Sequence, residues 1–193
     1  MKLSIALQVS HSRLELILRT LFGALYIALP HAFILFFLSI WGGVLSFIAF
    51  WMILFSGRYP EHIFEYQVQL IRWRIRVYAR IYNLADDYPA FGLSAIDERV
   101  TFEVPYPEKV SRLLLLIRIF FGVIYVILPH AFILFFRVIW GSVLSILAWF
   151  SVLFTKKFPE SWHEFLVGTL RWETRVGLYM SFMTDTYPPF SAK

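Results

Sequence analysis

The chain has no cysteine and few charged residues. The first absence excludes disulfides, thiolate-held metals and thioether-linked haem, although it does not fix a compartment. The second is more restrictive. Only 16% of the 193 residues are charged while 59% are hydrophobic and 20% aromatic, which leaves too little polar side chain to solvate a globule. The composition predicts a membrane protein. Also missing are a Walker loop, an HExxH pair, a GxSxG elbow and a glycine-rich dinucleotide fingerprint, so the expectation is a protein with no catalysis of its own and no cofactor. The opening "MKLSIALQVSHSR" has no long apolar core and no small-residue cleavage pattern, and no removed signal is expected. The formal charge of +5 does not point to nucleic acid, because the basic residues flank apolar tracts and do not form a soluble patch; contact with anionic lipid is the plainer reading.

What is present is long apolar sequence. No charge falls between Arg19 and Arg58, and only Arg137 interrupts the tract between Arg118 and Lys156. Each tract is roughly twice the ~20 residues that cross a bilayer as helix, which predicts a hairpin of two spans in each. An offset of 99 positions superposes Ser12 to Phe91 on Ser111 to Phe190 without a gap, with about half of the pairs identical. The expected organisation is therefore a first repeat over 1–91, a linker with a short strand over 92–110, and a second repeat over 111–193. Alternation in "KLSIALQV" and "RVTFEV" predicts two short strands able to pair with each other. The predicted fold class is an all-α membrane protein of two tandem helical-hairpin repeats, four transmembrane spans, with interfacial amphipathic helices and short β-strand leads.

Two sites could turn each hairpin: Pro30-His31 with Pro129-His130, or Trp41-Gly42 with Trp140-Gly141. Arg137 favours the second, since a turn at Pro129 would bury it well inside a span at a cost of roughly 2.5 to 3.5 kcal/mol. The second spans, 44–55 and 143–154, are then short, so that Arg58, Lys156 and Lys157 must snorkel. Either turn returns the chain to its starting face. All Lys and Arg except Arg137 collect there, which predicts a multi-pass inner-membrane protein with both termini cytoplasmic.

Pro30 and Pro129 each delete a helix hydrogen bond, leaving the carbonyls of Tyr26 and Tyr125 in need of donors. His31 and His130 are predicted to serve that kinked backbone or to pack between helices; the sharper alternative is a pair of haem, metal or proton ligands. Gly42, Ser46 and Ala49 recur as Gly141, Ser145 and Ala148, a small-residue spacing expected at close helix contacts. From Glu61 to Tyr82 the polar residues gather into one stripe, and Arg72, Arg76 and Arg80, with Arg171 and Arg175 in the second copy, are expected to reach lipid headgroups. Arg74 lies outside the stripe, and its counterpart is Glu173. Asp86 and Asp185, each just before Tyr-Pro, are read as turn chemistry.

The strings "LFSGRYPE", "RWRIRVYARIYNLADDYPAF" and "RWETRVGLYMSFMTDTYPPF", each following a greasy Pro-His helix, resemble the bacterial membrane family called domain of unknown function 4389, in tandem. The second copy departs at "LFTKKFPE", where Lys156-Lys157-Phe158 replace Gly57-Arg58-Tyr59. The resemblance implies a membrane-embedded bacterial protein and carries over no reaction. The expected function is an accessory or scaffold subunit that associates with a larger membrane complex, or with itself, and with anionic lipid. The alternatives are a transport or lipid-handling component and, less favoured, electron transfer through His31 and His130.

Overall fold

A computed structural model describes residues 1–193. Its order is β1 (Lys2–Ile5), α1 (Arg13–Ser56), α2 (Glu61–Ile81), β2 (Val100–Glu103), α3 (Arg112–Thr155) and α4 (Glu160–Met180). Both long helices, α1 and α3, are apolar and long enough to cross a membrane. At 1.5 Å per residue each extends about 66 Å.

The hairpin turn expected at Trp41-Gly42, or at Pro30-His31, does not form. Helix α1 runs through both sites, and α3 runs through Trp140-Gly141 and Pro129-His130. Gly42 is needed for close approach, because a Cβ there would lie 3.1 Å from Leu70 Cδ2; at Gly141 the neighbour is Leu166 Cδ2, also at 3.1 Å. Proline is accommodated by a π-helical segment just before it, Ala24–Ala28 in α1 and Val123–Ile127 in α3, which rearranges the local hydrogen bonding without ending the helix. The chain reverses later, where Gly57 adopts the left-handed conformation at φ 71° and ends α1. Lys156 takes the same conformation at φ 61° in the second copy, so the turn survives loss of the glycine at a modest conformational cost. Pro60 and Pro159 stand extended at the N-caps of α2 and α4.

Each half is thus a hairpin of one long and one shorter helix. Along the first, Tyr66 Oη donates to the Leu38 carbonyl (2.7 Å), Gln67 Nε2 to the Gly42 carbonyl (2.7 Å) and Trp73 Nε1 to His31 Nδ1 (2.9 Å). These bonds set the middle of α2 beside the middle of α1. The halves interlock end to start: Arg13 Nη2 donates to the Phe154 carbonyl at 2.7 Å and Arg112 Nη2 to the Phe55 carbonyl at 2.8 Å. Each arginine therefore serves orphan carbonyls at the negative end of the other half's long helix. One apolar core joins Leu16, Ile53, Leu115 and Val152 with residues of α2, α4 and both strands.

The strands pair antiparallel as expected, Leu3 opposite Phe102 and Ile5 opposite Val100. Arg72 Nη2 donates to the Phe102 carbonyl (3.0 Å) and Arg171 Nε to the Leu3 carbonyl (3.1 Å), which fixes this sheet over the middle of α2 and α4. It therefore also lies level with the middle of the long helices. Away from these layers α1 and α3 carry wide unpartnered apolar arcs. Phe33 and Phe36 are 65% and 61% exposed, and their counterparts Phe132 and Phe135 are 68% and 60% exposed.

Candidate functional site

The Pro-His motif lies at the centre of an aromatic enclosure built twice. His31 and His130 are fully buried. Each ring stacks at 4.0 Å on a phenylalanine after the Tyr-Pro exit, Phe91 or Phe190. Each meets a tryptophan edge-on, and the indole N–H donates to Nδ1, at 2.9 Å from Trp73 and 2.8 Å from Trp172. An Nδ1 that accepts places the proton on Nε2, so both imidazoles are neutral. Both Nε2 atoms lack a partner.

The carbonyls freed by proline are satisfied, by a different donor from the one expected. Tyr88 Oη donates to the Tyr26 carbonyl at 2.8 Å, and Tyr187 Oη donates to the Tyr125 carbonyl at 3.0 Å. The phenol of the exit motif, not the imidazole, closes the kink, because the chain folds back along the helix to bring it there. The two histidines contact aromatics of their own halves. No group of three or more His, Asp or Glu side chains is gathered as for a metal ion.

A second duplicated element anchors the same exit. Asp86 accepts from Arg19 Nη2 (2.5 Å), from the Ser12 backbone N–H (2.7 Å) and from Gln8 Nε2 (2.6 Å). Asp185 accepts from Arg118 and from the Ser111 N–H. Both serines are N-caps, accepting from Glu15 N–H and Leu114 N–H. Each aspartate thus binds the positive start of a long helix. The turn reading of this segment is also visible, with Asn83 and Asp87 at positive φ.

The arginine stripe turns inward. Arg76 is fully buried and donates to the Ala95 and Gly92 carbonyls, while Arg80, 4% exposed, pairs with Asp97 at 2.6 Å. Neither is left to a lipid headgroup, since the linker they hold covers them. Arg72 and Arg171 hold the strands, and Arg171 also donates to the Ala192 carbonyl. Arg175 holds the carbonyls of Ser191 and Lys193. The small residues lie where the helices meet: Gly42, Ala49, Gly141 and Ala148 are buried. Ser46 accepts from Gln67 Nε2 at 3.0 Å, whereas Ser145 bonds to the Gly141 carbonyl of its own helix.

Arg137, expected at a far interface, sits within the continuous α3 and is held by α4. Its Nη2 donates to Thr169 Oγ1 at 3.0 Å, and its guanidinium lies 4.2 Å from the centre of the Phe165 ring. The first half has Leu38 and Leu70 at the matching positions. Polar and apolar pairs thus fill one site in two ways. Thr169→Leu alone, which strips Arg137 of its best acceptor, is expected to cost about 1–3 kcal/mol. Arg137→Leu combined with Thr169→Leu should recover most of that loss, as read by thermal unfolding in a mild detergent.

A family model described as Domain of unknown function (DUF4389) matches the chain twice, over residues 13–92 and 112–192. No curated protein and no solved structure matches.

Proposed function

We propose, of a chain that belongs to the DUF4389 family in two tandem copies, that it is a non-enzymatic accessory or scaffold protein embedded in the bacterial cytoplasmic membrane. Its long helices lie along the membrane, and its sheet and linker face the cytoplasm. The observation that carries the placement is the sheet itself. If α1 and α3 crossed the bilayer end to end, the paired strands, level with their middles, would put Lys2 and Glu103, which no ion pair engages, at bilayer depth. Charge there costs several kcal/mol per group unless it is paired. Laid in the plane, the molecule gives water its sheet and linker and gives lipid the exposed arcs of α1 and α3. The positive-inside rule then makes the charged face cytoplasmic.

The scaffold reading rests on how the polar groups are used. The duplicated His, Arg, Asp and Tyr side chains bind other parts of the same chain, and what remains outside is a broad aromatic surface suited to lipid or to another membrane protein. Because the chain has no native cysteine, single cysteines test the placement. Ile96→Cys and Thr101→Cys should react with a membrane-impermeant thiol reagent only from the cytoplasmic side, and Phe36→Cys and Trp41→Cys from neither side. Reaction of Trp41→Cys from the periplasm would restore a spanning hairpin. Affinity purification at native expression in mild detergent should return a membrane-protein partner in fixed proportion; recovery of the chain alone counts against a scaffold.

A further inference from the structure

Two residues beyond Arg72, and about 200° around α2 at 100° per residue, Arg74 faces away from the sheet. Its counterpart in the second half is Glu173. The duplication has thus set opposite charges at equivalent positions of α2 and α4. Both line a cavity of about 340 Å³ between those helices, together with Tyr78, Thr174 and Ser181. Tyr78 and Glu173 also line a narrower space of about 70 Å³ that reaches Arg137 and Ser142. The two spaces adjoin at Tyr78 and Glu173, so that one groove brings together the Glu173 carboxylate with Arg74 and Arg137. Arg74 has Ser39 Oγ as a partner at 2.7 Å, and Arg137 has Thr169. No ion pair engages Glu173. Its side chain reaches open space.

The groove is lined by α2, α3 and α4 on the face of α2 turned away from the polar sheet, where the proposed placement puts lipid. An unpaired carboxylate at such a surface calls for a cation, and in a bilayer the abundant cation with a neighbouring phosphate is a zwitterionic headgroup. We propose that this groove binds a phospholipid bearing a primary ammonium, with the ammonium on Glu173 and the phosphodiester held by Arg74 and Arg137. A primary ammonium offers three N–H donors to the carboxylate, which a choline headgroup does not. Choline would be better served by an aromatic cage, whereas Tyr78 and Tyr82 stack on each other at 4.2 Å. A purely anionic headgroup would leave Glu173 unpaired.

The proposal rests on the membrane placement above, so the two are scored separately. Flotation with lipid vesicles reads the placement. For the site, the purified chain is reconstituted in nanodiscs of phosphatidylethanolamine, phosphatidylcholine and phosphatidylglycerol, extracted into mild detergent, and its retained lipids are counted by native mass spectrometry. Phosphatidylethanolamine should be enriched over phosphatidylcholine on the order of tenfold relative to the bulk mixture, a ratio that one charge-assisted hydrogen bond supports. Glu173→Gln should return the ratio to that of the bulk. Glu173→Arg, which copies the residue of the first half, should shift retention to phosphatidylglycerol, a gain that a misfolded variant would not show. Retained lipid that mirrors the bulk, a preference for phosphatidylcholine, or an unchanged preference in both variants overturns the site. A wild-type chain that does not float overturns the placement and the site together.

Discussion

Asp86→Ala is expected to lose about 3–5 kcal/mol of stability, the range for breaking one side of a buried ion pair. The Asp86 side chain is 6% exposed and that of Arg19 5%. Removing the carboxylate leaves the guanidinium with the Ala85 carbonyl as its remaining partner, and it orphans the Ser12 N–H at the start of α1. Asp185→Ala should cost less, because the Asp185 side chain is 30% exposed and Arg118 keeps the Tyr179 and Thr184 carbonyls at 3.0 Å and the Tyr179 ring at 4.0 Å. Titration with sodium dodecyl sulfate from a mild detergent reads the order. Acid should act on the same pair. Burial alone would raise the Asp86 pKa, but His11, the Ser12 N–H and Arg19 outweigh it and hold the carboxyl well below the usual carboxylate range. A depressed folded-state pKa contributes stability that is complete above the unfolded value, near 4, and lost as pH falls below it. The wild-type chain should therefore weaken progressively below about pH 4, and Asp86→Ala should lack that component. An alanine variant within about 1 kcal/mol of wild type would show that the pair does not anchor the exit segment.

Repetition made much of this legible. The 99-residue offset marks Arg19 with Arg118, Asp86 with Asp185 and Tyr88 with Tyr187 as equivalent, and the structure uses them as equivalent. Strand alternation gave the pairing of β1 with β2, and the missing donor at Pro30 gave the orphaned Tyr26 carbonyl. Periodicity could not say what lay opposite a face. The arginine stripe of α2 has the pattern of a solvated or lipid-facing edge, yet its partners are carbonyls at Gly92, Ala95 and Phe102, in a linker with no periodicity of its own. Gly42 misleads for a related reason, since glycine serves a turn and a close helix contact alike. Only Leu70 and Gln67, brought alongside by the reversal at Gly57, distinguish the two uses. Arg137 looked like evidence for a turn because its partner, Thr169, is also a replacement peculiar to the second copy.

Trp73→Ala should be as damaging as loss of Asp86, about 3–5 kcal/mol for a buried tryptophan, and the reason lies in what the indole joins. Pro30 breaks the bonding of α1, Tyr88 closes the gap, and Tyr88 and Phe91 lie against His31 with ring centres 5.4 and 4.0 Å away. Trp73, from α2, holds the far edge of that ring through its N–H and meets Phe91 edge-on. Long helix, return helix and exit segment therefore converge on one imidazole. Trp73→Phe separates the hydrogen bond from the packing. It keeps most of the apolar area but leaves the buried Nδ1 without a donor, an expected loss of about 1–3 kcal/mol. His31→Leu orphans the indole N–H instead, and its loss should be similar. The double variant His31→Leu/Trp73→Phe removes both polar groups, so its loss should fall well short of the sum of the two single losses. Trp172 and His130 should repeat the pattern, since their bond at 2.8 Å, the stack of His130 on Phe190 and the edge-on contact of Trp172 with Phe190 reproduce the first enclosure. Additive single losses would mean that histidine and tryptophan contribute only by filling space, and that the Pro-His motif is kept for its kink alone.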